Sequence, residues 1–155
     1  HLPLDAHPVM GNNAQLAEHM NWTTEGGIEP NQARPVGNWG TSDATMSVSD
    51  MTTKLERVLG RKPLVISGGE HDIHTLAWCT GAAQSMINKA HDLGVDAFIS
   101  GEISESTVHF ARENNIHYFS AGHHATERYG VQALAAYLEK QFAIKHQFID
   151  IDSPV

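Results

Sequence analysis

Apolar positions fall into short blocks that change period along the chain. The opening, Leu2-Pro3-Leu4-Asp5 through Gly11-Asn12-Asn13, is rich in Pro, Gly, Asn and Asp and reads as a loop. From Asn13, the residues Ala14, Leu16, Ala17 and Met20 recur at helical spacing. Residues 21–44 are polar and Gly-rich, with Gly37-Asn38-Trp39-Gly40 as a strand between turns. Ser49 or Asp50 is expected to cap a helix that runs to about Leu59, where Gly60 and Pro63 end it. Beyond residue 63 the pattern becomes regular. Leu64–Ser67, Thr75–Cys79, Asp96–Ser100, His117–Ser120 and Gln147–Ile151 read as strands. Helices are expected over 83–92, 104–114 and from Gly122 to about Lys140, the last with a break at Gly130. Strands alternating with helices of this length predict an α/β fold with a mixed, largely parallel sheet and flanking helices. In such sheets, ligands sit beyond the carboxyl ends of the strands. Cys79-Thr80-Gly81, Ser100-Gly101-Glu102 and Ala121-Gly122-His123 all fall there.

Composition narrows the picture. The 155 residues, 41% hydrophobic and 18% charged, suit one globular domain with a real core. A formal charge of −8 removes any global attraction to nucleic acid or an anionic membrane, so neither partner is expected. No apolar run approaches a membrane span and no signal-peptide pattern opens the chain. One cysteine, Cys79, allows no internal disulfide, and the expected location is the cytoplasm. The chain starts His-Leu-Pro-Leu-Asp without an initiator Met, so it reads as processed or as a fragment.

Eleven histidines direct attention to metal chemistry, although most are expected to be bystanders. The sharpest local signal is Gly122-His123-His124-Ala125-Thr126-Glu127. His123 and Glu127 are four residues apart, so on a helix an imidazole and a carboxylate project from one face and can close on a cation. The plain alternative is a first-turn glutamate beside solvated histidines. Asp5, in a loop stiffened by Pro3 and Pro8, is either a fixed ligand or an ordinary turn aspartate. Glu102 at a strand end is either an orienting carboxylate or a helix N-terminal acid. His71 and His74 are expected to be solvated, His109 to lie on a helix surface, and Cys79 to be a packed thiol. Gly81–Ser85 opens a helix and offers a weak anion site. Phosphate-loop, dinucleotide and serine-hydrolase motifs are absent from the sequence.

These signals occur together and in order in one family. HLPLDAHPVMGNNAQLA, VGNWGT, LAWCTGAAQSMI, GVDAFISGEISESTVHFA and AGHHATERYGVQALAAYL make the chain resemble the NGG-interacting-factor-three-like proteins, also known as GTP cyclohydrolase I type 2 homologues. The match is to the short bacterial form without an inserted middle domain. The resemblance implies a toroidal hexamer of α/β subunits, each with two divalent metal ions. By position it makes Asp5, His123 and Glu127 metal ligands and His124 a bystander. His1 and Glu102 become residues that orient the ligands. It also implies that this is the C-terminal two-thirds of the family fold. Residues 1–62 would be the remainder of the first half and 63–155 the βα-rich C-terminal half. A His-His ligand pair on an N-terminal segment is not in this chain. Three ligands would then support at most one water-completed site, and apolar surface is expected where the remaining part packs. Mixed imidazole and carboxylate donors suit Mn, Fe, Zn or Co alike.

Two functions follow from the resemblance. The first is a metal-dependent hydrolase of GTP cyclohydrolase type, acting on a small molecule with a metal-activated water. The alternative is a non-catalytic ring protein that binds or delivers metal. A ring enclosing DNA is disfavoured by the acidic balance.

Overall fold

A computed structural model of the chain describes residues 4–154. The first helix, α1 (Asn12–Met20), turns Leu16, Ala17 and Met20 inward and ends at Asn21 in the left-handed region. Two strands follow, β1 (Trp22–Gly27) and β2 (Asn38–Met46), paired antiparallel with an irregularity between Thr24 and Gly26. Helix α2 (Val48–Leu59) buries Met51, Leu55 and Leu59 at four-residue spacing. Its cap is Ser47, two residues before the expected Ser49. The Ser47 hydroxyl oxygen accepts from the Asp50 amide at 3.1 Å. Then come β3 (Leu64–Ile66), β4 (Ile73–Cys79), a 3₁₀ turn at Gln84–Met86, α3 (Ile87–Asp92), β5 (Ala97–Ser100), α4 (Glu105–Glu113), β6 (His117–Ser120) and α5 (His123–Phe142).

The strands form one sheet in the order β1-β2-β4-β5-β6-β3. The α/β class and the mixed sheet agree with the sequence pattern, but parallel pairing is confined to β4-β5-β6. β1, β2 and β3 enter antiparallel. β1 escapes the sequence pattern because most of its side chains are exposed, so the ladder to β2 rather than an apolar face holds it. Alternation along the central strands builds two cores. Leu76 and Trp78 of β4, Ile99 of β5 and Phe119 of β6 pack towards α1 and α2. Ala77, Cys79, Phe98 and Tyr118 face α3 and α4. Trp78, wholly buried, packs in a tilted arrangement against Trp22 with ring centroids 5.0 Å apart and donates its indole N–H to the Asn13 carbonyl.

Three expectations are corrected. The helix expected over 83–92 divides into the 3₁₀ turn and α3. The break expected at Gly130 is absent, and α5 runs unbroken through that buried residue. Residues 147–151 alternate like a strand but form none. The segment pairs with neither edge strand, β1 or β3, and a strand needs a ladder partner. The tail is held instead by Asp150, which accepts from His124 Nε2 at 2.9 Å and Arg128 Nη1 at 3.0 Å. Ile149 and Ile151 remain 70% and 73% exposed, and Tyr137 and Phe142 of α5 are also exposed. Among the described residues no helix is long and apolar enough to cross a membrane.

His117 sits within the sheet with its ring fully buried. Its Nδ1 accepts from the Gly68 amide at 3.0 Å, and its Nε2–H donates to the His71 carbonyl at 2.9 Å. The His71 ring, expected to be solvated, stacks on it at 4.0 Å. A second proton would have to displace the Gly68 bond. Burial holds the His117 pKa below the ordinary histidine value, against the opposing hydrogen bond to the His71 carbonyl. The unfolded chain therefore takes up a proton that the folded chain refuses. This cost is absent above pH of about 6.5 and grows as the pH falls through and below it, at no more than about 1.4 kcal/mol per pH unit. Urea unfolding between pH 7.5 and 5 should show stability falling towards acid. His117→Gln, which can still accept and donate, should flatten that slope. An unchanged slope would place the acid sensitivity elsewhere.

Candidate metal centre

The three parallel strands end side by side, and glycines follow them. The Gly101 amide donates to the Gly81 carbonyl at 2.9 Å, and the Gly122 amide to the Gly101 carbonyl at 2.9 Å. This stitches the turns after β4, β5 and β6 into one layer. α5 begins on that layer from Gly122, at φ +99°. A Cβ at Gly101 would lie 2.8 Å from the His123 Cα. A Cβ at Gly81, where φ is +68°, would lie 2.1 Å from Glu127 Oε1 and 3.1 Å from His123 Nε2. Thr126 locks the helix to the layer, its hydroxyl oxygen accepting from the Gly81 amide at 3.1 Å.

His123 and Glu127 converge as their spacing predicts, with Nε2 and Oε2 at 3.3 Å. Behind them, His123 Nδ1 donates to Glu102 Oε1 at 2.7 Å. Glu102 is itself fixed through its backbone, where the buried Tyr118 hydroxyl donates to its carbonyl. Glu102 and Glu127 thus meet opposite nitrogens of the His123 ring. Its hydrogen bond raises the His123 pKa against the effect of burial, with the charges of Glu127 and Glu102 adding to the rise. The Glu127 pKa is also raised, first by burial and then by the Asp5 charge, with His123 opposing. Burial and the Asp5 charge thus disfavour the charged form of Glu127, and the His123 imidazole opposes them.

Asp5 reaches this edge from the loop before α1. Its Oδ1 accepts from Asn12 Nδ2 at 2.8 Å and from the Thr80 hydroxyl at 3.3 Å. Its backbone carbonyl accepts from Asn13 Nδ2 at 3.3 Å. Asn13 also takes the Thr80 amide on its Oδ1 at 3.0 Å, pinning the end of β4 to the start of α1. His7 serves the loop itself, its Nδ1 accepting from the Met10 amide at 3.0 Å. His1, expected to orient a ligand, lies outside the described residues.

Asp5, His123 and Glu127 line one cavity of about 410 Å³, whose other walls include Glu29, Val36, Cys79, Ser85 and Lys89. His123 and Glu127 touch, and Asp5 shares their cavity. Among the described residues, no three His, Cys, Asp or Glu side chains are drawn together closely enough to hold a metal ion. Cys79 is a packed thiol, its pKa pushed up to about 12 by burial. His74 and His109 are exposed. Sequence reasoning overlooked Asn12 and Asn13. Their signal is positional: they stand four residues before Leu16 and Ala17, on the buried face of α1.

A model of the family described as Duf34/NIF3 (NGG1p interacting factor 3) matches residues 1–154. The chain is 51% identical over 154 residues to a GTP cyclohydrolase 1 type 2 homolog of Pseudomonas aeruginosa, covering 99% of this chain and 61% of that protein. A protein of the same description from Vibrio cholerae is 48% identical over 157 residues, with 100% and 62% covered. The solved structure of protein ybgI, described as of unknown function, superposes with a TM-score of 0.93 at 46% identity, covering 100% of this chain and 61% of that one. TTHA1606 from Thermus thermophilus follows at 0.86 and 30%, with 100% and 60% covered. The chain spans about three-fifths of the length of the curated relatives it matches. Matched along 154 of its residues, the chain belongs to the Duf34/NIF3 family.

Proposed function

We propose that this chain contributes Asp5, His123 and Glu127 to a divalent metal centre, and that the centre serves hydrolysis of a small molecule of the GTP cyclohydrolase kind. One observation carries the reading: His123 meets Glu127 across 3.3 Å while its opposite nitrogen is held by Glu102 at 2.7 Å. A carboxylate behind a histidine fixes the tautomer, keeps the proton on Nδ1 and leaves Nε2 to face a cation. The donor chemistry fits. Burial, and after it the Asp5 charge, raises the Glu127 pKa, and a cation would offset that penalty. The glycine at 81 keeps the floor of the site free of side chain. When bound, a divalent ion supplies Lewis acidity and lowers the pKa of water towards neutrality.

The residues of this chain do the rest of the work. Glu102 and Tyr118 set the angle of His123 through the backbone of the β5 turn. Thr80 and Asn12 keep Asp5 turned towards the cavity. Guanine recognition has no assigned residue, so the choice of GTP rests on the description carried by the relatives. By the same family resemblance we propose a ring of six subunits, for which the exposed Tyr137, Phe142, Ile149 and Ile151 would supply apolar contact.

GTP turnover that requires added Mn, Fe, Zn or Co, and that is lost in Glu127→Ala, is the expected result. Metal binding by calorimetry, with no turnover across a nucleotide panel, would leave a protein that binds or delivers metal and would sink the hydrolase reading. Glu102→Gln should weaken metal binding by about 10- to 100-fold without abolishing it, because the ligands survive while the orientation of His123 is lost. An unchanged affinity would remove Glu102 from the site.

A further inference from the structure

A single side chain connects Asp5 to the helix that carries His123 and Glu127. Asn12 Nδ2 donates to Asp5 Oδ1 at 2.8 Å, and Asn12 Oδ1 accepts from the Gly130 amide at 2.9 Å. Gly130 lies three residues after Glu127 and seven after His123, so all three share one face of α5. We propose that Asn12 is the positioning residue that sets Asp5 in register with His123 and Glu127, by hydrogen-bonding at once to the Asp5 carboxylate and to the backbone of α5.

The amide is suited to this role because it donates from one end and accepts at the other, so both of its bonds have defined polarity. It is buried at 7% exposure, and its bond to the Gly130 amide is shielded from competing water. The opposite surface is shaped to admit it. A Cβ on Gly130 would lie 2.4 Å from Asn12 Oδ1 and 3.0 Å from its Cγ, so glycine leaves the space that the amide fills. Asn13, its neighbour, holds the Asp5 backbone and the end of β4 but makes no bond to α5, so it anchors the loop without setting the register.

The inference rests on the metal reading above, and a double-mutant cycle separates the two. Cobalt(II) is titrated into the full chain and into Asp5→Asn, Asn12→Ala, Gly130→Ala and the double variant, following the visible cobalt bands and the heat of binding. Asn12→Ala should weaken cobalt about 10-fold or more and alter the bands, since Asp5 loses its orientation. Gly130→Ala should also weaken binding, by pushing the amide aside. In the double variant the added methyl no longer meets the amide, so affinity should equal that of Asn12→Ala alone. Thermal unfolding without metal reports whether each variant folds, and Gly130→Ala serves if Asn12→Ala does not. Cobalt binding by Asn12→Ala equal to the unsubstituted chain, with Asp5→Asn impaired, overturns the positioning role and leaves the metal centre intact. Additive losses in the double variant overturn it too. No cobalt binding by the unsubstituted chain removes the metal centre, and this inference with it.

Discussion

The approach of α5 to the ends of three parallel strands is the contact on which the rest of the site depends. A helix that starts directly on the strand ends must bring backbone against backbone, and side chains there would prevent that. Gly101 leaves no Cβ to meet the His123 Cα, and Gly81 leaves none to meet Glu127. The amide-to-carbonyl bonds from Gly101 to Gly81 and from Gly122 to Gly101 then hold the layer at that spacing. Thr126 adds a hydrogen bond from within the helix. The position of His123 and Glu127 is therefore a property of the sheet, with side-chain preference selecting only the last torsions.

Charge at this edge is left unbalanced by the contacts that build it. Glu102 and Glu127 meet the two nitrogens of one imidazole, and Asp5, held by Asn12 and Thr80, lines the same cavity. Such an arrangement costs folding free energy unless something positive joins it. The cost is visible in the Glu127 pKa, which burial and Asp5 raise together. The lysine on the cavity wall, Lys89, is already ion-paired with Glu29. Relief from within the described residues is confined to His123.

The parts of the fold that bury an apolar face were readable from the sequence. β4, β5 and β6 are short apolar runs followed by glycine, and α2 shows its four-residue stripe, so their existence and order followed from pattern alone. The i, i+4 pair of His123 and Glu127 was readable for the same reason, because one helix sets its geometry. β1 was not, since Thr23, Thr24 and Glu25 point to solvent and only pairing with β2 makes them a strand. The tail misled in the opposite direction: Phe148, Ile149 and Ile151 have strand composition but lack a ladder partner. Asp5 and Asn12 depend on contacts across the chain, the latter reaching Gly130 from the far end of the sequence. Local periodicity carries no information about such pairings.

The cavity has two chemically different walls, and they arise from different parts of the sheet. The wall of Asp5, His123 and Glu127 grows from the strand ends and from the loop before α1. The facing wall comes from the connection between β1 and β2, which supplies Glu29 and Val36, and from the 3₁₀ turn and α3, which supply Ser85, Met86 and Lys89. The Lys89–Glu29 pair ties these two segments together. The first wall is fixed by buried and partly buried hydrogen bonds at the strand ends. The second is joined by a partly exposed ion pair, an interaction that screening by salt weakens. Anything entering the cavity therefore meets carboxylates beside an imidazole on one side and a mixed face holding an ion pair on the other. The first wall carries the Asp5 and Glu127 carboxylates beside the His123 imidazole, and the second carries Glu29, whose charge Lys89 already offsets.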